Sequence, residues 1–325
     1  MNKVRIAVVG TGTFGRHHVR LLSQMQGVEL AGVCDLDPDR AASIAHEFGC
    51  AIFTGVEAVA GHVDAAIVAT PTSTHALIAS QLIAAGVDVL VEKPIAKNSS
   101  EGAWLSELAE RERRIVQVGH LERFNPAVEA LERVASIPLF FEVHRLSVFT
   151  PRSLDVDVIL DLMIHDLDIV LALTGEEPEE IRAAGISVLS RRVDIANVRL
   201  AFPSGCVANL TASRVSTEKI RKLRLFQPNQ YLSLDYQRQD LLSFAVSSPP
   251  GGGAMPNIGF TAIPVERAEP LARELESFVE AVRTRKAPRV DALQATRALR
   301  VAEAVTARIE EHAEVVNRTL ARTGP

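Results

Sequence analysis

The stretch VRIAVVGTGTFG at residues 4–15 runs a β-branched apolar strand directly into a GxGxxG turn, and few folds accept that junction. Gly10 permits the tight turn at the strand end, Gly12 lets backbone approach a pyrophosphate, and Gly15 allows close packing of helix on strand. Thr13, Phe14 and Gly15 open the helix, whose free N–H groups and partial positive charge suit phosphate. Asp35 ends the second strand, VELAGVCD (28–35), about 20 residues on, where a carboxylate accepts hydrogen bonds from the adenosine ribose. It also repels a 2′-phosphate, and Leu36 beside it supplies no cation. Arg40, one helical turn away, is the residue that would favour NADP; the balance predicts NAD.

The rest of the first 120 residues repeats the pattern. VDAAIVAT (63–70), VDVLVEK (87–93) and IVQVGH (115–120) read as strands buried on both faces, with helical patterns such as 38–49 and 71–86 between them. Alternation of this kind predicts a doubly wound parallel sheet, a Rossmann domain over 1–120. From residue 139 the texture changes. Segments 139–149, 181–189, 196–202, 206–214, 220–226 and 231–236 follow one another as strands, with a helix over 157–173 inserted among them. This predicts a second, α+β domain over 121–325 with an open, mostly antiparallel sheet. A Pro/Gly-rich segment at 247–259 reads as a mobile loop, and helices are expected over 268–284 and 291–316. The uncovered sheet face is expected to join copies of the chain into a dimer or tetramer.

Composition removes other classes. A net charge of −5, with 47% apolar and 23% charged residues, describes an ordinary globular chain and argues against general nucleic-acid or anionic-membrane binding. Cys34, Cys50 and Cys206 have no paired spacing and read as reduced thiols of a cytoplasmic protein. The N-terminal apolar run ends in the glycine turn, unlike a signal peptide. Residues 65–87 lack charge, but Pro71, Thr72, Ser73, Thr74, His75 and Gln81 interrupt them, so no membrane span is expected.

Two further motifs carry chemistry. VEKP (91–94) sets Glu92 and Lys93 at the carboxyl end of a parallel strand, where open α/β sheets bind ligands. ATPTSTH (69–75) ends the preceding strand, so Thr70, Pro71, Thr72 and His75 are expected on the nicotinamide side of the same crevice. In DLMIHDLDI (161–169), helical periodicity puts Asp161, His165 and Asp168 on one stripe, with Asp166 pointing elsewhere. That stripe alone fits a solvated face, a metal site with i, i+4, i+7 ligands, or a general base with its orienting carboxylate.

With GTGTFG, ATPTSTH, VEKP, VGHLERFNPAV (118–128) and DLMIHDLD occurring in this order, the chain resembles the Gfo/Idh/MocA oxidoreductases along nearly its whole length. The resemblance implies a catalytic lysine at Lys93 and a D-x-x-x-H motif at Asp161 and His165. His165 is then the acid/base at a sugar hydroxyl, suited by the ordinary imidazole pKa of ~6.5. Asp161 orients substrate or base, Lys93 stabilises the alkoxide, and no metal is required. Which of Lys93 and His165 takes the proton stays open. Asp157 and Val158 stand where many relatives carry glycines.

Within the family, VGHLERFNPAV and SRVSTEKIRKLRLF (213–226) resemble the UDP-N-acetylglucosamine 3-dehydrogenases. That likeness implies oxidation of a nucleotide-sugar 3-hydroxyl ahead of an aminotransferase, in routes to 2,3-diamino sugars such as that of lipid A. Arg123 and Asn125 are expected at the substrate, with Lys222 and Arg224 as further cations for the diphosphate. Alternatives are an NAD-dependent glycosidase acting by transient oxidation, a dinucleotide sensor, and a metal hydrolase.

Overall fold

The structure is a computed structural model and describes residues 3–150, 156–247 and 257–323. It divides into two compact units, Met1–Leu121 with Glu269–Leu299, and Glu122–Ala268 with Arg300–Pro325. No helix among the described residues is long and apolar enough to cross a membrane.

In the first unit, β1 (Val4–Val9), α1 (Thr13–Gln24), β2 (Val28–Cys34), α2 (Pro38–Phe48) and β3 (Ala51–Ile52) are followed by α3 (Val56–Ala60) and β4 (Ala65–Val68). Then come α4 (Thr72–Ala84), β5 (Asp88–Glu92), α5 (Ser99–Arg111) and β6 (Val116–Gly119). The six strands pair in parallel in the order β3-β2-β1-β4-β5-β6, the doubly wound arrangement expected. Local signals set the helix ends. For α2, Asp37 accepts from the Asp39 and Arg40 N–H groups, Pro38 opens the first turn, and Gly49 closes it in the left-handed conformation.

A 3-10 turn (Leu121–Phe124) leads into the second unit, followed by α6 (Pro126–Val134) and β7 (Phe140–Leu146). A π-helical turn (Ile159–Met163) leads into α7 (Ile164–Thr174), and then come β8 (Glu180–Ile186), β9 (Ile195–Ala201), β10 (Val207–Ser213) and β11 (Ile220–Gln227). The sheet is completed by β12 (Gln230–Asp235), β13 (Asp240–Ser247) and β14 (Asn257–Ile263). Its order is β14-β13-β12-β11-β7-β10-β9-β8, antiparallel except where β7 meets β10. β13 and β14 extend the sheet beyond the last strand expected. Most of the segment read as a loop, residues 248–256, lies outside the described residues, while its last residues belong to β14.

One face of this sheet is an apolar core carrying Phe141, Val143, Val198, Leu200, Leu210, Leu223 and Leu225. The other is open and mixed rather than simply apolar. Lys222 and Arg224 are exposed there, Arg224 pairing with Glu142 at 3.0 Å. Beside them Phe140, Phe226, Tyr231, Phe244 and Phe260 form a chain of ring contacts with centroids 4.3–5.9 Å apart.

The units do not follow a single cut at residue 120. α8 (Pro270–Thr284) returns to the first unit, and α9 (Ala292–Thr323) starts there and continues into the second. The reason is burial. Leu271, Leu275, Phe278, Val279 and Val282 of α8 share one core with Val4, Ile6 and Val8 of β1 and Val19 and Leu22 of α1. Phe278→Ala is therefore expected to destabilise the first unit by about 3–5 kcal/mol. Calorimetry should show that unit's transition moving down while NAD no longer protects it as well; an unchanged transition would show α8 to be dispensable.

Candidate active site

The glycine turn is built as its spacing requires. Gly10 adopts φ +91°, and a Cβ there would sit 2.5 Å from the Ala69 carbonyl oxygen. At Gly15 a Cβ would fall 1.8 Å from the Gly10 carbonyl oxygen, so any side chain would push α1 off the turn. A Cβ on Gly12 meets nothing within 4 Å, which leaves open space in front of the helix start. The cap position of α1 is Gly12, which offers no side-chain acceptor to the N–H groups of the first turn at Thr13, Phe14 and Gly15. Open space facing uncapped donors fits a pyrophosphate.

Asp35 is an anion locked to that turn. Its Oδ2 accepts from the Thr11 N–H and hydroxyl, both at 2.7 Å, and Oδ1 accepts from the Asp37 N–H at 2.9 Å. Burial raises its carboxyl pKa, but these hydrogen bonds and the Arg40 charge outweigh burial and hold it below the ordinary value. Arg40 lies 3.5 Å from Asp35 and hydrogen-bonds Asp37 at 3.1 Å, so carboxylates already surround it.

The two turns after β4 and β5 are tied together by His75. Its ring nitrogens lie 2.8 Å from the carbonyl oxygens of Thr70 and Pro94, and the ring is buried. Expected to line the nicotinamide, His75 holds the backbone of the turns that carry Thr70, Pro71, Thr72 and Lys93. The Lys93–Pro94 peptide is cis. Glu92 turns inward: its Oε1 meets His18 Nε2 at 2.7 Å and its Oε2 accepts from the Lys93 N–H at 3.3 Å.

In the second unit the polar groups of DLMIHDLDI separate by burial. Asp166 is buried and forms a two-pronged pair with Arg145, at 2.7 and 2.8 Å. Arg145, 1% exposed, also donates to Glu122 at 2.9 Å and lies over the Tyr236 ring. The attraction of Asp166 and Glu122 overcomes burial and raises the Arg145 pKa well above its ordinary value. Asp168, on the expected stripe, is buried too and pairs with Arg123 at 3.6 Å. Asp161 and His165 stay half-buried. Asp157 accepts from the Ile159 and Leu160 N–H groups at 3.0 Å and starts the π turn, which carries Asp161. Such turns recur at functional sites.

Two residues expected at the substrate are engaged inside the unit. Arg123 is buried against Glu132 and Asp168. Asn125 caps α6: its oxygen accepts from the Ala127 N–H, and its amide donates to Glu122 and to the Tyr236 carbonyl. Lys222 and Arg224 occupy the sheet face opposite Arg145. The inward cation of β11 is Arg221, which pairs with Arg145 in register, lies 3.8 Å from Glu122 and interacts with Asp161. Arg221 was missed in the sequence, although its spacing from Leu223 and Leu225 in IRKLRLF is the signal that could have placed it inward.

Residues 4–120 match the family model described as the oxidoreductase family, NAD-binding Rossmann fold, of Gfo/Idh/MocA, and 138–227 match the Gfo/Idh/MocA C-terminal domain. The chain is 36% identical over 313 residues to a UDP-N-acetylglucosamine 3-dehydrogenase of Acidithiobacillus ferrooxidans, covering 95% of this chain and 98% of that one. Inositol 2-dehydrogenase of Rhizobium meliloti is 26% identical over 303 residues, 86% of this chain and 88% of that one. Among solved structures, the Acidithiobacillus ferrooxidans UDP-N-acetylglucosamine 3-dehydrogenase superposes with a TM-score of 0.90 at 36% identity, over 96% of this chain and 99% of that chain. A myo-inositol 2-dehydrogenase from Lactobacillus plantarum, at 19% identity, 95% and 98% coverage and a TM-score of 0.78, shares the fold.

Titration with both dinucleotides should find NAD bound more tightly than NADP. Removing the Asp35 carboxylate in Asp35→Ala should weaken NAD about 10–100-fold, the weight of a charge-assisted hydrogen-bond pair. Equal affinity for the two cofactors in the wild type would show that Arg40 decides instead.

Proposed function

The chain belongs to the Gfo/Idh/MocA family of oxidoreductases, and on that premise we propose that it oxidises the 3-hydroxyl of UDP-N-acetylglucosamine to the 3-keto sugar with NAD. What carries the reading is the likeness, over nearly the full length of both chains, to a protein named for that reaction. The sorting within DLMIHDLDI supports it. Asp166 and Asp168 are buried against arginines, whereas Asp161 and His165 are only half-buried.

NAD, when bound, supplies the hydride acceptor. Gly10, Gly12 and the first turn of α1 hold the pyrophosphate, and Asp35 holds the ribose. Thr70, Pro71 and Thr72 shape the nicotinamide end, with His75 fixing their backbone, while Glu92 supports Lys93 from the inner side. Lys93 meets the negative charge that grows on the sugar oxygen. His165 is the acid/base at that hydroxyl, and Asp161, one turn earlier, orients it. Arg221, on the inner sheet face and interacting with Asp161, is a better candidate than Lys222 or Arg224 for an anionic or acetamido group of the substrate. The 3-keto product is a substrate for an aminotransferase, as in a route to 2,3-diamino sugars of the lipid A type in the cytoplasm.

We also propose that copies of the chain associate through the open sheet face. The aromatic row ends at Phe260, which is 62% exposed, and a surface of that kind is usually covered. Phe244→Asp is expected to yield monomers by light scattering where the wild type gives a dimer or tetramer.

For the activity, UDP-N-acetylglucosamine added to protein and NAD should raise NADH absorbance. Lys93→Ala and His165→Ala should each lower turnover by about 10²–10⁴-fold with NAD affinity near normal, and chelators should have no effect. Full turnover in either variant would remove the mechanism.

A further inference from the structure

Glu274 is a carboxyl on an apolar stripe. Along α8, Leu271, Leu275, Phe278 and Val282 enter the core, and Glu274 shares their face at 0% exposure. Neither of its oxygens has a hydrogen-bond partner among the described residues. It faces His18 of α1 and Glu92 of β5, the three groups offering one nitrogen and two oxygens all within 4.8 Å of one another.

Two ionised carboxylates at that spacing, shielded from solvent, repel each other strongly. A bound cation is a poor remedy here. Donors sharing an ion at bond lengths of about 2.0–2.2 Å stand roughly 3 Å or more apart, whereas His18 Nε2 and Glu92 Oε1 are 2.7 Å apart, a direct hydrogen bond. Donation from Nε2 uses the one proton of a neutral imidazole, and a second proton at Nδ1 would have no acceptor among the described residues. The remaining remedy is a proton on one carboxyl. Glu92 has the His18 donor, the Lys93 N–H and the Lys93 charge to stabilise its anion; Glu274 has none of these. Burial and then the Glu92 charge push the Glu274 carboxyl well above the usual range. Burial acts the same way on Glu92, but His18 and Lys93 outweigh it and hold Glu92 below that range. β6 contributes no charge here: Gly119 makes room, since a Cβ there would lie 3.0 Å from Glu92 Oε2.

We propose that His18, Glu92 and Glu274 form a buried proton-sharing triad in which Glu274 is the neutral acid and Glu92 the carboxylate, so that Lys93 stands beside a single negative charge. The three are positioning residues that act through Lys93, and this role rests on the reading of Lys93 as the group that stabilises the alkoxide.

The test compares Glu274→Gln and Glu92→Gln in the full chain. Infrared difference spectra at neutral pH should show a protonated-carboxyl band that Glu274→Gln removes and Glu92→Gln does not; loss of the band only in Glu92→Gln, or its absence from the wild type, overturns the assignment. Stability offers a second readout. A carboxyl whose folded pKa is raised contributes its full stability below its unfolded value of about 4.5 and loses it as pH rises toward the folded value. The melting temperature of Glu274→Gln should therefore gain on that of the wild type as pH is raised, and a pH-independent difference counts against the proposal. In turnover, Glu92→Gln should move the alkaline limb of the kcat profile down by about one pH unit or more, because the anion beside Lys93 is gone, whereas Glu274→Gln should keep the limb in place. Equal displacement by both would mean that both carboxylates are charged. Stoichiometric Zn²⁺ uptake that His18→Ala abolishes would replace the proton with a metal. A wild type that shows the infrared band but oxidises no nucleotide sugar would sink the functional reading and leave the triad standing.

Discussion

A parallel sheet must be covered on both faces, and that requirement organises the first unit. The strands β1, β4 and β5 are buried along nearly their whole length, so each helix laid against them has to bring a full apolar stripe. The alternating helices of the first 120 residues do not complete the cover. α8, entering about 150 residues later in the chain, fills the remaining core with Leu275, Phe278 and Val279. The same return delivers Glu274 to His18 and Glu92, so the cover of the sheet and the environment beneath Lys93 come from one helix.

The groups proposed to bind cofactor stand at the ends of those strands. β1 ends in a turn whose Gly10 conformation and Gly15 contact leave no tolerance for a side chain, and β2 ends in an anion that hydrogen-bonds back to the same turn through Thr11. β4 and β5 end in turns that His75 links through two backbone carbonyls. Each strand end is thus fixed to a neighbour by a short polar contact, and the groups proposed to hold cofactor stand on a backbone with little freedom to shift.

Much of this was legible from the amino-acid order, because local rules and tertiary packing agree there. The strand–glycine–helix junction, Asp35, the parallel strand order and most sheet strands of the second unit follow from periodicity and turn chemistry. The failures have particular causes. The turn between β12 and β13 has no glycine or asparagine at its left-handed position; Gln239 adopts φ 53°, and β13 goes unannounced. The partners of Arg123 and Asn125 were also hidden, since only the fold brings Glu132, Asp168 and Glu122 to them. Glu274 did carry a signal, a charge on the apolar stripe of LARELESFV, although its partners are far away in sequence.

The second unit handles the same difficulty, polar groups inside a core, in the opposite manner. Arg145 projects from the inner face of β7 into an apolar region and is satisfied by two carboxylates and an aromatic face. Removing one member of such a cluster leaves an uncompensated buried charge, so the cluster specifies how α7 seats on the sheet even where its net stabilisation is small. Asp166 and Asp168 anchor α7 from two sides, one to β7 and one to the segment before α6. With the helix fixed by these pairs, Asp161 and His165 sit on a π turn and the helical turn that follows it, started by the Asp157 cap. A residue that must move a proton needs a fixed position and a partner one turn away. The oily run with four polar groups is arranged to meet both needs under the proposed mechanism: Asp166 and Asp168 hold the helix, and Asp161 and His165 stand half-buried one turn apart.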